Sequence, residues 1–169
     1  MELSHAAKNH IKLSIEFMPA DGWTWSFEQR IASDPAEGRM VVAQLLEELE
    51  RQEWAESDVF AVHLALEEAL VNAIKHGNQR DPAKGVTVEC RAKPDRIQIC
   101  ITDEGDGFDP DTVPDPTDEA NLEIPSGRGL MLMRCYMTSL EFNTKGNCVT
   151  MEKVRSCDED EDEEDDEDD

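Results

Sequence analysis

Three polar side chains recur every four residues in an otherwise apolar helical stretch. Glu68, Asn72 and His76 lie within residues 58–79, where apolar residues flank them at helical spacing. At 3.6 residues per turn, this spacing places the three side chains along one strip of a helix. A carboxylate and an amide against a core face need polar partners. They either satisfy each other and the nearby backbone, or they face a cavity that holds a metal ion with its anionic ligand.

An aspartate at the end of a predicted strand is followed by two glycines. Asp103, Gly105 and Gly107 form the pattern D-x-G-x-G. A carboxylate can accept a hydrogen bond from an exocyclic amine, and glycine lets the backbone approach the edge of a ring. The pattern therefore fits an adenine pocket. A glycine-rich turn that merely ends a strand has the same composition and is the alternative.

A second glycine pair stands at the start of a predicted helix. Gly127, Arg128 and Gly129 precede an apolar helical stretch and follow residues 109–126, which contain four prolines and many acids without periodicity. Backbone N–H groups and the helix dipole at such a start can hold phosphate, and Arg128 can add a charged contact. The preceding loop is expected to act as a lid or a linker. An ordinary junction between loop and helix is the alternative.

The polar strip on the long helix offers groups for metal binding and proton transfer. The amide oxygen of Asn72 can coordinate Mg²⁺ beside phosphate oxygens, since Mg²⁺ prefers oxygen ligands. Glu68 can accept a hydroxyl proton as that hydroxyl attacks a phosphate. His76 could belong to the same site, or it could be a residue at the helix C-terminus that the helix dipole favours. His63 and Glu67 could form a metal pair, but no other histidine or cysteine cluster supplies further ligands.

The elements that must position these residues alternate between strands and helices. Aromatic and polar residues alternate over 23–32 and predict a strand, after which Ser33 or Asp34 can cap a helix with Pro35 at its first position. Ser57 is the predicted cap of the long helix. The predicted elements are strand 23–32, helix 36–53, helix 58–79, strands 86–92 and 96–103, a helix from 127, and strands 139–144 and 148–154. This order indicates an α+β fold, a two-layer α/β sandwich whose mixed, mostly antiparallel sheet carries helices on one face.

The charge of the chain is concentrated at its end. The formal net charge is −24, and the twelve residues 158–169 are all Asp or Glu, which leaves 28 acids against 16 bases in the remainder. A run of like charges repels itself and buries nothing, so residues 156–169 are predicted to be a disordered tail. We expect one folded domain over 23–155, preceded by an extension over 1–22 in which 10–17 form a weak strand pattern. The acidic body argues against direct binding of nucleic acid.

The cysteines and the N-terminus indicate a cytoplasmic protein. The five cysteines are scattered without a C-x-x-C pair, which argues against a zinc site or a disulfide framework. The N-terminus lacks an apolar stretch after basic residues, and no run is long enough to span a bilayer. We therefore expect reduced thiols and no membrane attachment.

The three motifs follow one another in a fixed order: E-x-x-x-N on a helix, D-x-G-x-G after a strand, and G-x-G before a helix. With this order the chain resembles the GHKL, or histidine-kinase-like, ATPase superfamily, whose N box and two glycine boxes match 68–72, 103–107 and 127–129. The stretches EEALVNAIKHGN and PSGRGLMLMR are most similar to the bacterial anti-sigma-factor serine-protein kinases. The resemblance covers about residues 23–154.

The resemblance implies ATP and Mg²⁺ as cofactors and a protein serine as the phosphoryl acceptor. Glu68 would be the catalytic base, Asn72 would bind Mg²⁺ and Asp103 would read adenine. The other nucleotide contacts that it implies are Gly105, Gly107, Gly127, Arg128 and Gly129. The implied partners are a small anti-anti-sigma-type protein, which is the substrate, and a sigma factor, and the implied assembly is a homodimer. A nucleotide-gated binding module that sequesters a regulator without phosphorylating it is the alternative.

Overall fold

The computed structural model describes residues 22–113 and 127–156. Five strands and three α-helices make up most of this part, together with one π-helical and one 3-10 segment. In chain order they are β1 Trp25–Ala32, α1 Pro35–Arg51, α2 Glu56–Val71, the π-helix Asn72–Gly77, β2 Gly85–Lys93, β3 Arg96–Asp103, the 3-10 helix Pro110–Thr112, α3 Arg128–Tyr136, β4 Ser139–Phe142 and β5 Cys148–Val154. Both predicted hairpins and the helix that begins after Gly127 are therefore confirmed.

The strands form one five-stranded sheet in the order β1-β2-β3-β5-β4. All four pairings between these strands are antiparallel. The predicted α+β class is confirmed, but the parallel pairing that a mixed sheet requires does not occur in the part of the chain that the structure describes. The central strand β3 ends at Asp103, so the first glycine box begins where this strand leaves the sheet.

One face of the sheet is covered by helices and the other is open. On β3 the side chains alternate strictly, with Ile97, Ile99 and Ile101 buried in the core. Leu49 from α1 and Leu66 from α2 are fully buried in the same cluster. A strand with period-two burial needs a covering layer on its apolar side alone. The polar side of the sheet consequently remains accessible, and this surface is called the open face below.

The start of α1 follows local capping rules. Asp34 is the N-cap, its side chain accepts a hydrogen bond from the backbone N–H of Ala36, and Pro35 occupies the first helical position. Of the two caps that the sequence allows, the structure selects Asp34. Ser33 instead donates its hydroxyl to the backbone oxygen of Lys84.

The prediction that Ser57 caps α2 is wrong, because that helix begins at Glu56 with Ala55 at the N-cap and no side-chain cap. Asp58 is buried and accepts hydrogen bonds from the backbone N–H and the hydroxyl of Ser156. These long-range bonds tie the first turn of α2 to Ser156, so a tertiary contact and not a side-chain cap anchors this end of the helix.

The prediction of a single α-helix over 58–79 is also wrong in its last third. The α-helix ends at Val71, and Asn72–Gly77 continues as a π-helix. Its wider hydrogen bonding is seen at the backbone N–H of Asn78, which donates to the oxygen of Ala73 at 2.8 Å. π-helical turns inside α-helices are rare and frequently mark functional sites.

Three predicted segments lie outside the described residues: the N-terminal strand pattern at 10–17, most of the loop at 109–126, and the acidic tail. Of that loop, the structure describes only the start, where Pro110–Thr112 forms a 3-10 turn capped by Asp109. Within the described ranges, none of the helices is long and apolar enough to cross a membrane.

Candidate functional site

A cavity of about 590 Å³ opens between α2 with its π-helical end, the end of β3 and the start of α3. It brings the three sequence motifs together on one surface. Its lining includes six of the predicted site residues: Glu68, Asn72, Asp103, Gly107, Gly127 and Gly129. His76 also lies on the lining, although its side chain is largely exposed.

Two predicted site residues do not line this cavity. Gly105 is buried behind Asp103, and its backbone N–H donates to Asp103 Oδ1 at 2.8 Å. It therefore orients the carboxyl group from behind. Arg128 is the first residue of α3 and its side chain is exposed. His63 and Glu67, the discarded metal pair, contact each other at 3.1 Å on the outer side of α2.

Asp103 is held by the neighbouring strand as well as by its own loop. Its backbone N–H donates to the oxygen of Asn147, and Asn147 Nδ2 donates back to the backbone oxygen of Asp103 at 2.7 Å. Its side chain is 9% exposed. Burial raises the pKa of the Asp103 carboxyl above its usual value, although the bond from Gly105 and the charges of Lys145 and Lys84 oppose this. A buried carboxyl that faces a cavity suits a hydrogen-bonding ligand.

Gly77 lies at the end of the π-helix, and the absence of a side chain there leaves the space that the Asp103 carboxyl group occupies. A Cβ built on Gly77 would overlap Asp103 Cγ and both carboxyl oxygens. A Cβ on Gly105 would in turn overlap the backbone oxygen of Gly77. The predicted helix over 58–79 includes Gly77, but sequence analysis assigned this residue no role. The signal was present as a glycine placed directly after the polar strip.

Asn78 is a second residue that sequence analysis missed. Its side chain is 0% exposed, and its Nδ2 donates to Ser33 Oγ and to the backbone oxygen of Gly85, each at 2.8 Å. Its Oδ1 accepts from the backbone N–H of Glu104, also at 2.8 Å. One buried amide therefore connects the π-helix to β1, β2 and the end of β3. This network fixes the loop that follows Asp103.

The first glycine box interlocks with the turn between β4 and β5. Gly107 and Gly146 both have left-handed backbones, with φ of 80° and 75°. A Cβ on Gly107 would overlap the backbone oxygen of Lys145, and a Cβ on Gly146 would overlap that of Phe108. Two backbones that approach this closely with positive φ require glycine on both sides.

The start of α3 faces the carboxylate of Glu68. Gly127 caps α3 with a left-handed backbone, φ 90°, and a Cβ on Gly129 would overlap Glu68 Oε2. The positive end of a helix dipole stabilises a negative charge placed there. A helix start of this kind also suits a phosphate group.

The cavity has two chemically different ends and an apolar wall between them. Glu68 lies on α2, and Gly77 ends the π-helix that continues it, nine positions further along the chain. The wall contains Ile101, Leu130, Met133, Phe142 and Val149. A ring fits against such a wall with its polar edge at Asp103, and phosphates fit at Asn72 and the start of α3. The residues present therefore fit a Mg²⁺-nucleotide.

Comparison with known proteins agrees with this geometry. Residues 31–153 match the family model described as the histidine kinase-like ATPase domain. The chain is 30% identical over 131 residues to an anti-sigma F factor of Oceanobacillus iheyensis, covering 75% of this chain and 88% of the relative. It is 25% identical over 133 residues to the serine-protein kinase RsbW of Bacillus subtilis, covering 75% and 83%.

A solved structure supports the fold independently. The crystal structure of the RsbU and RsbW domains of a Mycobacterium tuberculosis protein superposes with a TM-score of 0.54 at 19% identity, covering 77% of this chain and 32% of that one. The family model spans all three motifs. The resemblance read from the sequence is thus confirmed, and the chain belongs to the histidine kinase-like ATPase domain family.

Proposed function

We propose that this protein is a cytoplasmic, ATP-dependent protein serine kinase that phosphorylates a small anti-anti-sigma-type partner and thereby controls a sigma factor. The observation that carries the proposal is Glu68, a carboxylate set against the start of α3 in a cavity that also contains Asn72 and Asp103. The names of the relatives, anti-sigma F factor and serine-protein kinase, support the same assignment. A homodimer is the assembly expected with it.

Each end of the cavity has a separate role in holding the nucleotide. Asp103 accepts a hydrogen bond from the exocyclic amine of adenine. Asn72 would hold Mg²⁺ through its amide oxygen. Backbone N–H groups at Gly127 and Gly129, with the guanidinium of Arg128, would contact the phosphates. The bound nucleotide supplies the phosphoryl group that is transferred.

Glu68 performs the proton transfer in this proposal. Its carboxylate accepts the proton of a serine hydroxyl on the partner as that oxygen becomes the nucleophile. Asn72 lies one turn further along the same helical strip, so the base and the metal-binding group are held by one rigid element. General-base catalysis of this kind contributes about 10²–10⁴-fold to a rate.

Phosphoryl transfer to a candidate anti-anti-sigma partner tests the proposal directly. Glu68→Gln is expected to lose about 10²-fold or more of the transfer rate while still binding Mg·ATP. Glu67→Gln is a matched control, because Glu67 is the adjacent carboxylate but is exposed and contacts His63. Equal loss in both variants, or no loss in Glu68→Gln, would contradict the role of Glu68.

A nucleotide-gated binding module is the second candidate function. The close approach of Glu68 to Gly129 favours this second function. A phosphate bound at the start of α3 would change that approach whether or not the phosphoryl group is then transferred. This function predicts partner affinity that changes between ATP and ADP, with no phosphorylated partner. Mass spectrometry of the partner after incubation with Mg·ATP distinguishes the two candidates.

A further inference from the structure

Two cysteines meet on the open face of the sheet, on the side away from the nucleotide cavity's helices. Cys100 lies on β3 and Cys148 on β5, and their Sγ atoms are 3.2 Å apart. In the strand register Cys100 is opposite Thr150, and Cys148 is opposite Thr102. The two cysteines are therefore diagonal neighbours on one face of adjacent strands, which is within reach of side-chain contact. Both side chains are partly accessible.

This arrangement distinguishes the pair from the other described cysteines. Cys90 is buried in the core, where a reagent has no access. Cys135 is exposed on α3. The sulfur atoms of Cys100 and Cys148 need to approach by little more than 1 Å to reach the bond length of a disulfide, about 2.0 Å. They are joined to two strands that reciprocal hydrogen bonds between Asp103 and Asn147 already hold together.

We propose that Cys100 and Cys148 are a thiol oxidation site that forms a reversible intramolecular disulfide when the protein meets a peroxide. This proposal goes beyond the kinase function and does not depend on it. The disulfide ties β3 to β5 directly beside Asp103 and Asn147, the two residues that support the adenine end of the cavity. Thiol reductants restore the pair.

The oxidation proceeds in two balanced steps. The thiolate of Cys148 attacks one peroxide oxygen, so an S–O bond forms, the O–O bond breaks and the other oxygen leaves as water after it takes up a proton. The sulfur of Cys100 then loses its proton and attacks the oxidised sulfur, so the S–S bond forms and the hydroxyl leaves as a second water. Two thiols are oxidised by two electrons in total, and one peroxide is reduced to two waters.

The surroundings of Cys100 support this order. Burial, with the neighbouring Cys148, raises the pKa of the Cys100 thiol to about 11. Only a small fraction of Cys100 is thiolate at neutral pH, and the thiolate is the reactive form. Cys100 is therefore the sulfur that reacts second, once its neighbour has become an electrophile at contact distance.

Peptide mapping of the full-length protein after graded hydrogen peroxide treatment tests the proposal. Free thiols are first blocked with an alkylating reagent, and the protein is then digested with trypsin without reduction. Cleavage after Lys and Arg places Cys90, Cys100, Cys135, Cys148 and Cys157 in five different peptides, so each linkage has its own mass. The expected result is loss of two free thiols in the monomer and a linked peptide that joins 97–128 to 146–153. Dithiothreitol should release it.

Variants add a control for the exposed cysteine. Cys135→Ser is expected to form the same linked peptide as the unmodified sequence, whereas Cys100→Ser and Cys148→Ser are expected to lose it. Mapping of the unmodified sequence alone decides the matter even if a serine variant folds poorly. The proposal is overturned if Cys100 and Cys148 both remain alkylated across the peroxide range, if they are linked only between molecules, or if each is oxidised separately without a linkage.

Discussion

Gly77→Ala is the substitution that most directly tests how the end of the cavity at Asp103 is built. Gly77 has helical backbone angles that alanine can adopt, so its backbone conformation does not demand glycine. Its added Cβ would overlap Cγ and both oxygens of the Asp103 carboxyl. Since Asp103 lies at the end of a buried strand, its carboxyl must rotate away and lose its bond from Gly105. The substitution therefore acts on nucleotide binding through Asp103.

The expected loss of affinity follows from the hydrogen bond to adenine that we propose for Asp103. A hydrogen bond to a charged group contributes about 1.5–3 kcal/mol. At 1.4 kcal/mol for each factor of ten, the Kd for ATP should rise by about 10- to 150-fold. Overpacking at the same position should lower the free energy of unfolding by about 1–3 kcal/mol. Binding is thus lost in a protein that still folds.

Isothermal titration of Mg·ATP measures the Kd for the unmodified sequence, Gly77→Ala, Asp103→Asn and the double variant. If Gly77→Ala acts through Asp103, the two effects on binding free energy should not add in the double variant. Gly38→Ala is the matched control, because this buried helical glycine in α1 would place its Cβ 3.3 Å from the terminal Ile74 Cδ1, which can move. ATP affinity equal to that of the unmodified sequence in Gly77→Ala, or strict additivity in the double variant, would refute the reasoning.

Three further predictions concern the surroundings of the cavity. Asn78→Ala removes three buried hydrogen bonds and should lower the free energy of unfolding by about 3–5 kcal/mol in urea denaturation, since each orphaned buried group costs about 1–3 kcal/mol. Asp58→Asn should cost about 1.5–3 kcal/mol at pH 7. Burial alone would raise the pKa of Asp58, but hydrogen bonds from Ser156 and the charge of Lys153 lower it below its usual value. The stability that Asp58 contributes is therefore present above its unfolded pKa of about 4 and is lost as pH falls through its folded pKa. The urea midpoints of Asp58→Asn and of the unmodified sequence should converge as pH falls below about 4, and a constant difference would contradict the assignment. Gly146→Ala should weaken ATP binding in the same titration, because its Cβ would displace the backbone at Phe108, the residue directly after the first glycine box.

Strand positions were predictable because burial on a covered sheet follows the two-residue period of the chain. Residues 96–103 were predicted to form a strand, and the isoleucines that alternate within it form the buried side of β3 in the structure. The start of α1 was equally local, since Asp34 and Pro35 carry the capping signal within three residues. The order of the three motifs indicated the family before any side chain was placed. These features depend on residues that are close together in the sequence.

The start of α2 was not predictable in the same way. Ser57 carries the local capping signal, yet the helix begins one residue earlier. Asp58 bonds to Ser156, which is 98 positions away in the sequence. A capping signal includes only residues within one helical turn of the cap, so it cannot include a contact with Ser156. The prediction of the C-terminal end of this helix was wrong for the same reason. Its π-helical turns place Gly77 against Asp103, which belongs to a different element.

The sequence by itself determined the order of the strands and α-helices and the motif residues that can do chemistry, because periodicity and motif order are properties of the chain. Only the tertiary structure decided which of those residues share a cavity and which support it from behind. Gly105 and Arg128 look equivalent to Gly107 and Gly129 in the motifs, yet only the second pair lines the cavity. Gly77 and Asn78 look like the ordinary end of the predicted helix, yet they position Asp103 and its loop. The physical reason is that steric exclusion and buried hydrogen bonds act between atoms that only folding brings together.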